Sequence, residues 1–120
     1  MKGKVALVMG GGAGTGRATA LAFAREGARV VVADINETLA HKSAGLIRAA
    51  GGEALAIRAD MARAADIQTV MEAARSTFGG LHMASNNAAA AAPNKPLTEI
   101  TEEEWDRCMS VTLRGVWLCL

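Results

Sequence analysis

Short apolar runs alternate along this chain with longer stretches in which apolar residues recur every three or four positions. The apolar runs fall at residues 5–9, 29–33, 53–59 and 81–85. The first run, from Val5 to Met9, contains no polar residue, which is typical of a strand covered on both faces. The pattern therefore predicts four strands, with the first at the centre of a parallel sheet.

The intervening stretches predict helices at about 15–25, 37–50 and 64–78, and from residue 102 to the last residue. Asn36 is the expected N-cap of the second helix, and glycines follow the ends of the first three. The last helix has the clearest start, because Thr101 and Glu104 have the spacing of a capping box. Gly115 is a candidate kink within it.

Alternating strands and helices with short connections predict an α/β fold of the Rossmann type. We expect one domain over residues 1–120, with a doubly wound parallel sheet of about four strands that is incomplete, and helices on both faces. In such sheets ligands bind outside the carboxyl ends of the strands. The segments that follow those ends are the loop 10–16, Asp34, Asp60 and residues 86–89.

A glycine-rich loop joins the first strand to the first helix. The common fingerprint G-x-G-x-x-G does not fit it, whereas the spacing G-x-x-x-G-x-G does, with glycines at positions 10, 14 and 16. Glycine lets the backbone approach a ligand closely, and a helix N-terminus favours an anion such as a phosphate. A purely structural strand-to-helix turn remains the alternative, and no Gly-Lys-Ser/Thr follows to make a nucleoside triphosphate loop.

Polar residues at the other strand ends are candidate ligand contacts. Asp34 lies eighteen positions after Gly16, near the spacing at which an acidic residue meets the ribose 2′-hydroxyl of NAD. A carboxylate repels a 2′-phosphate, so NAD is favoured over NADP, although a strand-end aspartate can also simply cap the next helix. Asp60 can accept from an adenine amino group or cap a turn. Asn86 and Asn87 can tie the fourth strand to the glycine loop or face a ribose.

Composition excludes several classes of partner. The 120 residues are 51% hydrophobic with a formal net charge of +1, and no basic stripe indicates nucleic acid or an anionic membrane surface. The first apolar run is too short for a signal peptide or a membrane span, so a cytoplasmic location is expected. Cys108 and Cys119 lie roughly 16 Å apart along one predicted helix, too far for a disulfide. Both are expected to be reduced, and no metal site is expected.

Taken together, these segments resemble the N-terminal half of a classical short-chain dehydrogenase/reductase. That family carries the loop T-G-x-x-x-G-I-G, here Met9 to Gly16, an acidic end of the second strand, here Asp34, and an N-N-A-G stretch, here Asn86 to Ala89. Asp60-Met61 is similar to its adenine-contacting pair, and residues 103–107 and 111–117 resemble its fourth-helix region. The resemblance implies an NAD-dependent alcohol/ketone oxidoreductase scaffold, commonly tetrameric, and hence a homo-oligomer.

The resemblance and the strand-end positions together indicate one set of cofactor-binding residues. These are Gly10, Gly12, Ala13, Gly14, Thr15, Gly16, Asp34, Ile35, Asp60, Met61, Asn87, Ala88 and Ala89.

Three residues depart from the family pattern. Met9 replaces a threonine that pins the loop, Ala89 replaces a glycine, and Thr112 replaces an asparagine that helps to hold the water of the catalytic lysine. The family's catalytic serine and Tyr-x-x-x-Lys pair follow the segment matched here, and this sequence has no tyrosine. His41 is expected on a helix surface and His82 at the far end of the fourth strand. We therefore expect no catalytic residue and a chain that by itself binds a dinucleotide at best.

Three functional hypotheses follow. The first is the NAD(H)-binding portion of a short-chain dehydrogenase/reductase, truncated before its catalytic segment. The second is a non-catalytic nucleotide-binding module, and the third is an interaction protein that pairs with full-length relatives through its last helix. An uncovered fourth strand and the apolar residues near Trp117 also predict marginal stability or self-association.

Overall fold

The computed structural model describes all residues 1–120 and contains one parallel sheet of four strands. The strands are β1 (Val5–Met9), β2 (Arg29–Asp34), β3 (Ala54–Arg58) and β4 (Met83–Asn86), in the spatial order β3-β2-β1-β4. The helices are α1 (Gly14–Arg25), α2 (Glu37–Ala49), α3 (Ala64–Phe78), α4 (Glu102–Met109) and α5 (Gly115–Cys119). This arrangement confirms the predicted doubly wound sheet. None of the helices has the length and apolarity needed to cross a membrane.

Strand β1 is fully buried along its length and divides the molecule into two cores. Leu7 and Met9 face α3, whereas Ala6 and Val8 face α1 and α2, because successive side chains of a strand point to opposite faces of the sheet. The chain passes from β1 outward to β3 and then returns to place β4 on the other side of β1. The change of direction between β1 and β4 opens a crevice at the carboxyl ends of these strands.

The boundaries of the first three helices follow the sequence signals closely. Asn36 caps α2, since its side chain accepts a hydrogen bond from the Leu39 N–H at 3.1 Å. Gly79 ends α3 in the left-handed conformation, with φ of 84°. Thr101 and Glu104 form the expected capping box at the start of α4, and the Glu104 side chain accepts from the Thr101 N–H at 2.8 Å.

Strand β4 begins two residues later than the predicted start, because a side chain occupies the first position of its ladder. The Val5 N–H donates to Nδ1 of His82 at 3.0 Å, and the His82 N–H donates to the Val5 carbonyl. The imidazole thus takes the place of a backbone carbonyl, and regular pairing starts with Ala6 opposite Met83.

The predicted last helix is not continuous. Helix α4 ends at Met109, a wider π turn spans Ser110–Arg114, and α5 follows. Gly115 does not cause the break, which starts five residues earlier. Its role is close packing, because a Cβ at this position would lie 2.7 Å from Cγ and 2.8 Å from the carbonyl oxygen of Met61. The segment is anchored there by Arg114, whose Nη1 donates to the Ala62 carbonyl at 3.0 Å.

We expect Gly115→Ala to lower the free energy of unfolding by about 1–3 kcal/mol, the usual range for overpacking. The carbonyl of Met61 cannot move away without shifting the loop after β3. Urea unfolding followed by circular dichroism measures the change. The matched control is Gly45→Ala in α2, where nothing lies within 4 Å of the new methyl group. This control should gain about 0.5–1 kcal/mol from helix propensity, and equal effects of the two variants would contradict our account.

Candidate dinucleotide-binding site

A cleft of about 390 Å³ lies at the carboxyl ends of the strands. Nine of the thirteen predicted cofactor-binding residues line it, and Gly12, Gly14, Thr15 and Gly16 lie in the adjoining loop. The lining residues are Met9, Gly10, Ala13, Asp34, Ile35, Leu39, Ala59, Asp60, Met61, Asn87, Ala88, Ala89, Ala90, Arg107 and Val111. The topology thus brings residues from four strand ends and from α4 to one place.

Most glycines of the loop have protein atoms, and not open space, where a side chain would lie. They are therefore needed for the packing of the loop and not only for the approach of a ligand. A Cβ at Gly10, whose φ is 75°, would lie 2.8 Å from Cα of Ala88, and one at Gly16 would collide with the Gly10 carbonyl. These glycines let the loop fold tightly against itself and against the end of β4. Gly14 differs, because its φ of 50° also requires glycine but the space beside it is open.

Hydrogen bonds hold the peptide groups on both sides of Gly12. Its N–H donates to Oδ2 of Asp34 at 2.9 Å, and its carbonyl accepts hydrogen bonds from the Ser43 hydroxyl at 3.1 Å and from the Arg17 guanidinium. Nε of Arg17 also donates to Oγ of the fully buried Ser43 at 3.0 Å. Sequence reasoning missed Arg17 and Ser43 as supports of the loop, and the one available signal was a polar residue on the buried face of α2.

The N-terminus of α1 is open toward ligands. Its N-cap residue, Ala13, has no side-chain cap, and no group of the chain accepts from the N–H groups of Gly14, Thr15 and Gly16. These unpaired donors and the helix dipole together favour an anion. Because Ala13 also lines the cleft, the donors lie at its edge.

Both carboxylate oxygens of Asp34 are engaged by backbone groups. Oδ2 accepts from Gly12, and Oδ1 accepts from the Asn36 N–H at 2.9 Å. A carboxylate offers about four acceptor positions, so two remain for other donors. Asp34 thus braces the glycine loop and the turn before α2, with acceptor positions left for a ligand, whereas the cap of α2 itself is Asn36.

Asp60 makes an ion pair with a residue that sequence reasoning did not place in the site. Nη1 of Arg107 in α4 lies 3.0 Å from Oδ2 and 3.3 Å from Oδ1 of Asp60, and the Ala62 N–H donates to Oδ1 at 2.9 Å. Burial raises the pKa of the Asp60 carboxyl, but the hydrogen bonds from Ala62 and Arg107 outweigh it, so the pKa lies below its usual value. No short-range signal could reveal a contact between residues 47 positions apart.

The two asparagines differ in their surroundings. The Asn87 N–H donates to the Met9 carbonyl at 3.1 Å, and its amide group packs against Gly16, which agrees with a role in tying β4 to the loop. Oδ1 of Asn86 is buried and has no hydrogen-bond partner. Thr112 lies in the π turn, where its hydroxyl accepts from the Ala90 N–H at 3.3 Å.

The two histidines lie away from the cleft. His41 is 59% exposed on α2 and sits 3.9 Å from Glu37, and His82 lies at the opposite end of the sheet beside Val5. Cys108 and Cys119 are free thiols. No three His, Cys, Asp or Glu side chains come together as metal ligands would.

This chain is similar in sequence to known dehydrogenases. Residues 4–120 match the family described as short chain dehydrogenase. The chain is 41% identical over 121 residues to the short chain dehydrogenase/reductase astE of Aspergillus oryzae, covering 100% of this chain and 46% of that protein. It is 43% identical over 114 residues to the cyclohexanol dehydrogenase of an Acinetobacter species, covering 95% of this chain and 45% of the relative. The chain thus spans about half the length of these curated relatives.

Solved structures share the same fold. A short chain dehydrogenase/reductase from Burkholderia phymatum, crystallised with NAD, superposes with a TM-score of 0.94 at 35% identity, over 98% of this chain and 42% of that one. A 3-ketoacyl-(acyl-carrier-protein) reductase from Brucella melitensis, crystallised with NADH, has a TM-score of 0.92 at 39% identity, over 98% and 47% of the two chains.

Proposed function

The chain belongs to the short chain dehydrogenase family, and from this premise we propose that it is the NAD(H)-binding portion of an oxidoreductase. The reaction proposed for the whole protein is hydride transfer between a nicotinamide cofactor and an alcohol or ketone. The observation that carries the proposal is the meeting of an uncapped helix N-terminus and the Asp34 carboxylate at one cleft. The helix N-terminus suits the pyrophosphate of a dinucleotide, and the Asp34 carboxylate suits its adenosine ribose.

Each part of the cleft has a proposed role toward the dinucleotide. The loop from Gly10 to Gly16 holds the pyrophosphate through the free N–H groups of α1. Asp34 and Ile35 receive the adenosine ribose, and Asp60 and Met61 receive the adenine. Asn87, Ala88 and Ala89 lie at the end of β4 and contact the nicotinamide half. We treat residues 1–120 as a single dinucleotide-binding domain.

We assign no catalytic residue to this chain. The bound nicotinamide supplies the hydride donor or acceptor, and the carbonyl oxygen then needs an acid or base beside it. The cleft contains no tyrosine, histidine or lysine, and its one cation, Arg107, is paired with Asp60. The residues described here bind and orient the cofactor, and proton transfer belongs to groups outside them.

The proposal predicts that the 120-residue chain binds NADH, and Ala13→Asp separates binding from folding. Asp is a preferred N-cap residue, and Ala13 has the extended backbone that a cap requires, so the variant should be as stable as the wild type or more so. Its charge at the helix N-terminus should weaken NADH binding by at least about tenfold, because it repels a pyrophosphate. Fluorescence titration and thermal denaturation measure the two effects.

The matched control is Ala13→Ser, which adds a capping hydroxyl without a charge. We expect it to weaken NADH binding less than Ala13→Asp does, because its hydroxyl competes for a free N–H group of α1 but adds no like-charge repulsion. If the wild-type chain shows no binding, or if Ala13→Asp binds as tightly as the wild type, the proposed site is wrong.

We also propose that NAD is preferred over NADP. Asp34 carries a negative charge where the 2′-phosphate of NADP would lie, and no lysine or arginine lines that end of the cleft. The wild-type chain should bind NADH at least about tenfold more tightly than NADPH. Asp34→Asn should narrow this difference, because it removes the charge while an amide oxygen remains for the Gly12 N–H. Equal affinities in the wild type would refute the preference.

Finally, we propose that the chain self-associates through the outer face of the segment formed by α4, the π turn and α5. Leu113 and Trp117 are 63% and 67% exposed there, and they share a groove with Asp106 and Arg114. Two copies packed antiparallel would bring Asp106 of each opposite Arg114 of the other. Sedimentation velocity should show mass increasing with concentration, and Leu113→Glu should shift the chain toward monomer. A wild-type monomer at all concentrations would contradict the proposal.

A further inference from the structure

The ion pair between Arg107 and Asp60 joins α4 to the edge of the cleft, and the proposed function leaves it without a role. Arg107 is the one basic residue among those that line the cleft, and its side chain is 48% exposed. The Asp60 side chain is 16% exposed. A surface ion pair alone would contribute little to stability, so its position beside a ligand cleft is the more informative property.

The ion pair leaves Asp60 with few free acceptor positions. An ionised carboxylate has about four acceptor positions and no donor. On Oδ1, the Ala62 N–H at 2.9 Å and Nη1 of Arg107 at 3.3 Å fill both positions. On Oδ2, Nη1 of Arg107 at 3.0 Å fills one. One acceptor position, on Oδ2, remains for a ligand.

The backbone around Asp60 is fixed as well. Its N–H donates to Oδ2 of Asp66 at 2.9 Å, and its carbonyl accepts from the Arg63 N–H at 3.0 Å. With the backbone held by the start of α3 and the side chain held by α4, the free position on Oδ2 has a defined direction. A group of this kind discriminates between ligand donors and ligand acceptors.

We propose that Arg107 is a positioning residue that orients the Asp60 carboxylate, so that its one free acceptor position selects a nucleobase with an exocyclic amino group. The inference rests on the proposed function, since it concerns the adenine end of the same cleft. Adenine presents an amino group at position 6, which donates to the free position. Hypoxanthine presents a carbonyl oxygen there, which the carboxylate repels.

The experiment compares NADH with reduced nicotinamide hypoxanthine dinucleotide, which differs only at that position, on the 120-residue chain. The wild type should bind NADH about tenfold more tightly, as expected for one hydrogen bond to a charged group. Arg107→Met keeps the apolar stem but removes the donors that orient the Asp60 carboxylate, and it should reduce the ratio to below about threefold because the free acceptor position loses its fixed direction. Arg107→Lys should restore at least half of the lost preference, because a single nitrogen of Arg107 makes both contacts.

Arg63→Gln is the matched control. Arg63 also places a positive charge near Asp60, but it pairs with Asp66 and makes no side-chain hydrogen bond to Asp60. The control should keep the wild-type ratio within about twofold, since an exposed charge is screened by solvent and Arg63 makes no side-chain hydrogen bond that orients the Asp60 carboxylate. An equal loss in Arg63→Gln and Arg107→Met would overturn the inference, because the effect would then be one of overall charge.

Circular dichroism shows whether each variant folds. If Arg107→Met does not fold, Asp60→Asn decides, since its amide can donate to a carbonyl and should bring the ratio to about one. A tenfold preference that survives in Arg107→Met or in Asp60→Asn would overturn the inference. Equal binding of both dinucleotides to the wild type would also overturn it while leaving the proposed function intact. If neither dinucleotide binds, the proposed function itself has failed.

Discussion

The hydrogen bonds at Gly12 are the constraint on which the rest of the site depends. Asp34 at the end of β2 holds the N–H of this residue, and Arg17 and Ser43 hold its carbonyl. Three elements thereby fix the two peptide groups that flank Gly12, in the middle of a loop that has few side chains of its own. Because the loop is fixed before any ligand arrives, the free N–H groups of α1 need no reorganisation to receive an anion.

The fold could be predicted from local patterns because each pattern has a local physical cause. Continuous burial on both faces identified β1, and the capping signals of Asn36, Gly79 and Thr101 set helix ends within a residue or two. The errors arose where a distant residue intervened. Nδ1 of His82 replaces a carbonyl at the start of β4, and contacts with the loop after β3 accompany the interruption of the last helix. Neither contact has a signature in the neighbouring sequence.

The candidate site was predictable to the extent that it is made of strand ends. Asp34, Asp60 and Asn87 meet at one cleft because a parallel sheet places all its carboxyl ends on one edge. The contacts of three further residues have no local signal. Arg17 and Ser43 pair across 26 positions of the chain, and Arg107 pairs with Asp60 across 47. Some of these side chains also bind an atom that already has another partner. Only coordinates reveal such pairings. The same holds for the glycines, whose missing side chains turned out to face protein more often than open space.

The π turn and its surroundings have a mechanical consequence. Arg107, Arg114 and Gly115 lie on one helical segment, and they contact three consecutive residues, Asp60, Met61 and Ala62. These contacts tie the segment to that short stretch at the edge of the cleft. A displacement of the segment is therefore expected to displace the edge of the cleft, so a partner that binds the outer surface and shifts the segment would change ligand affinity as well.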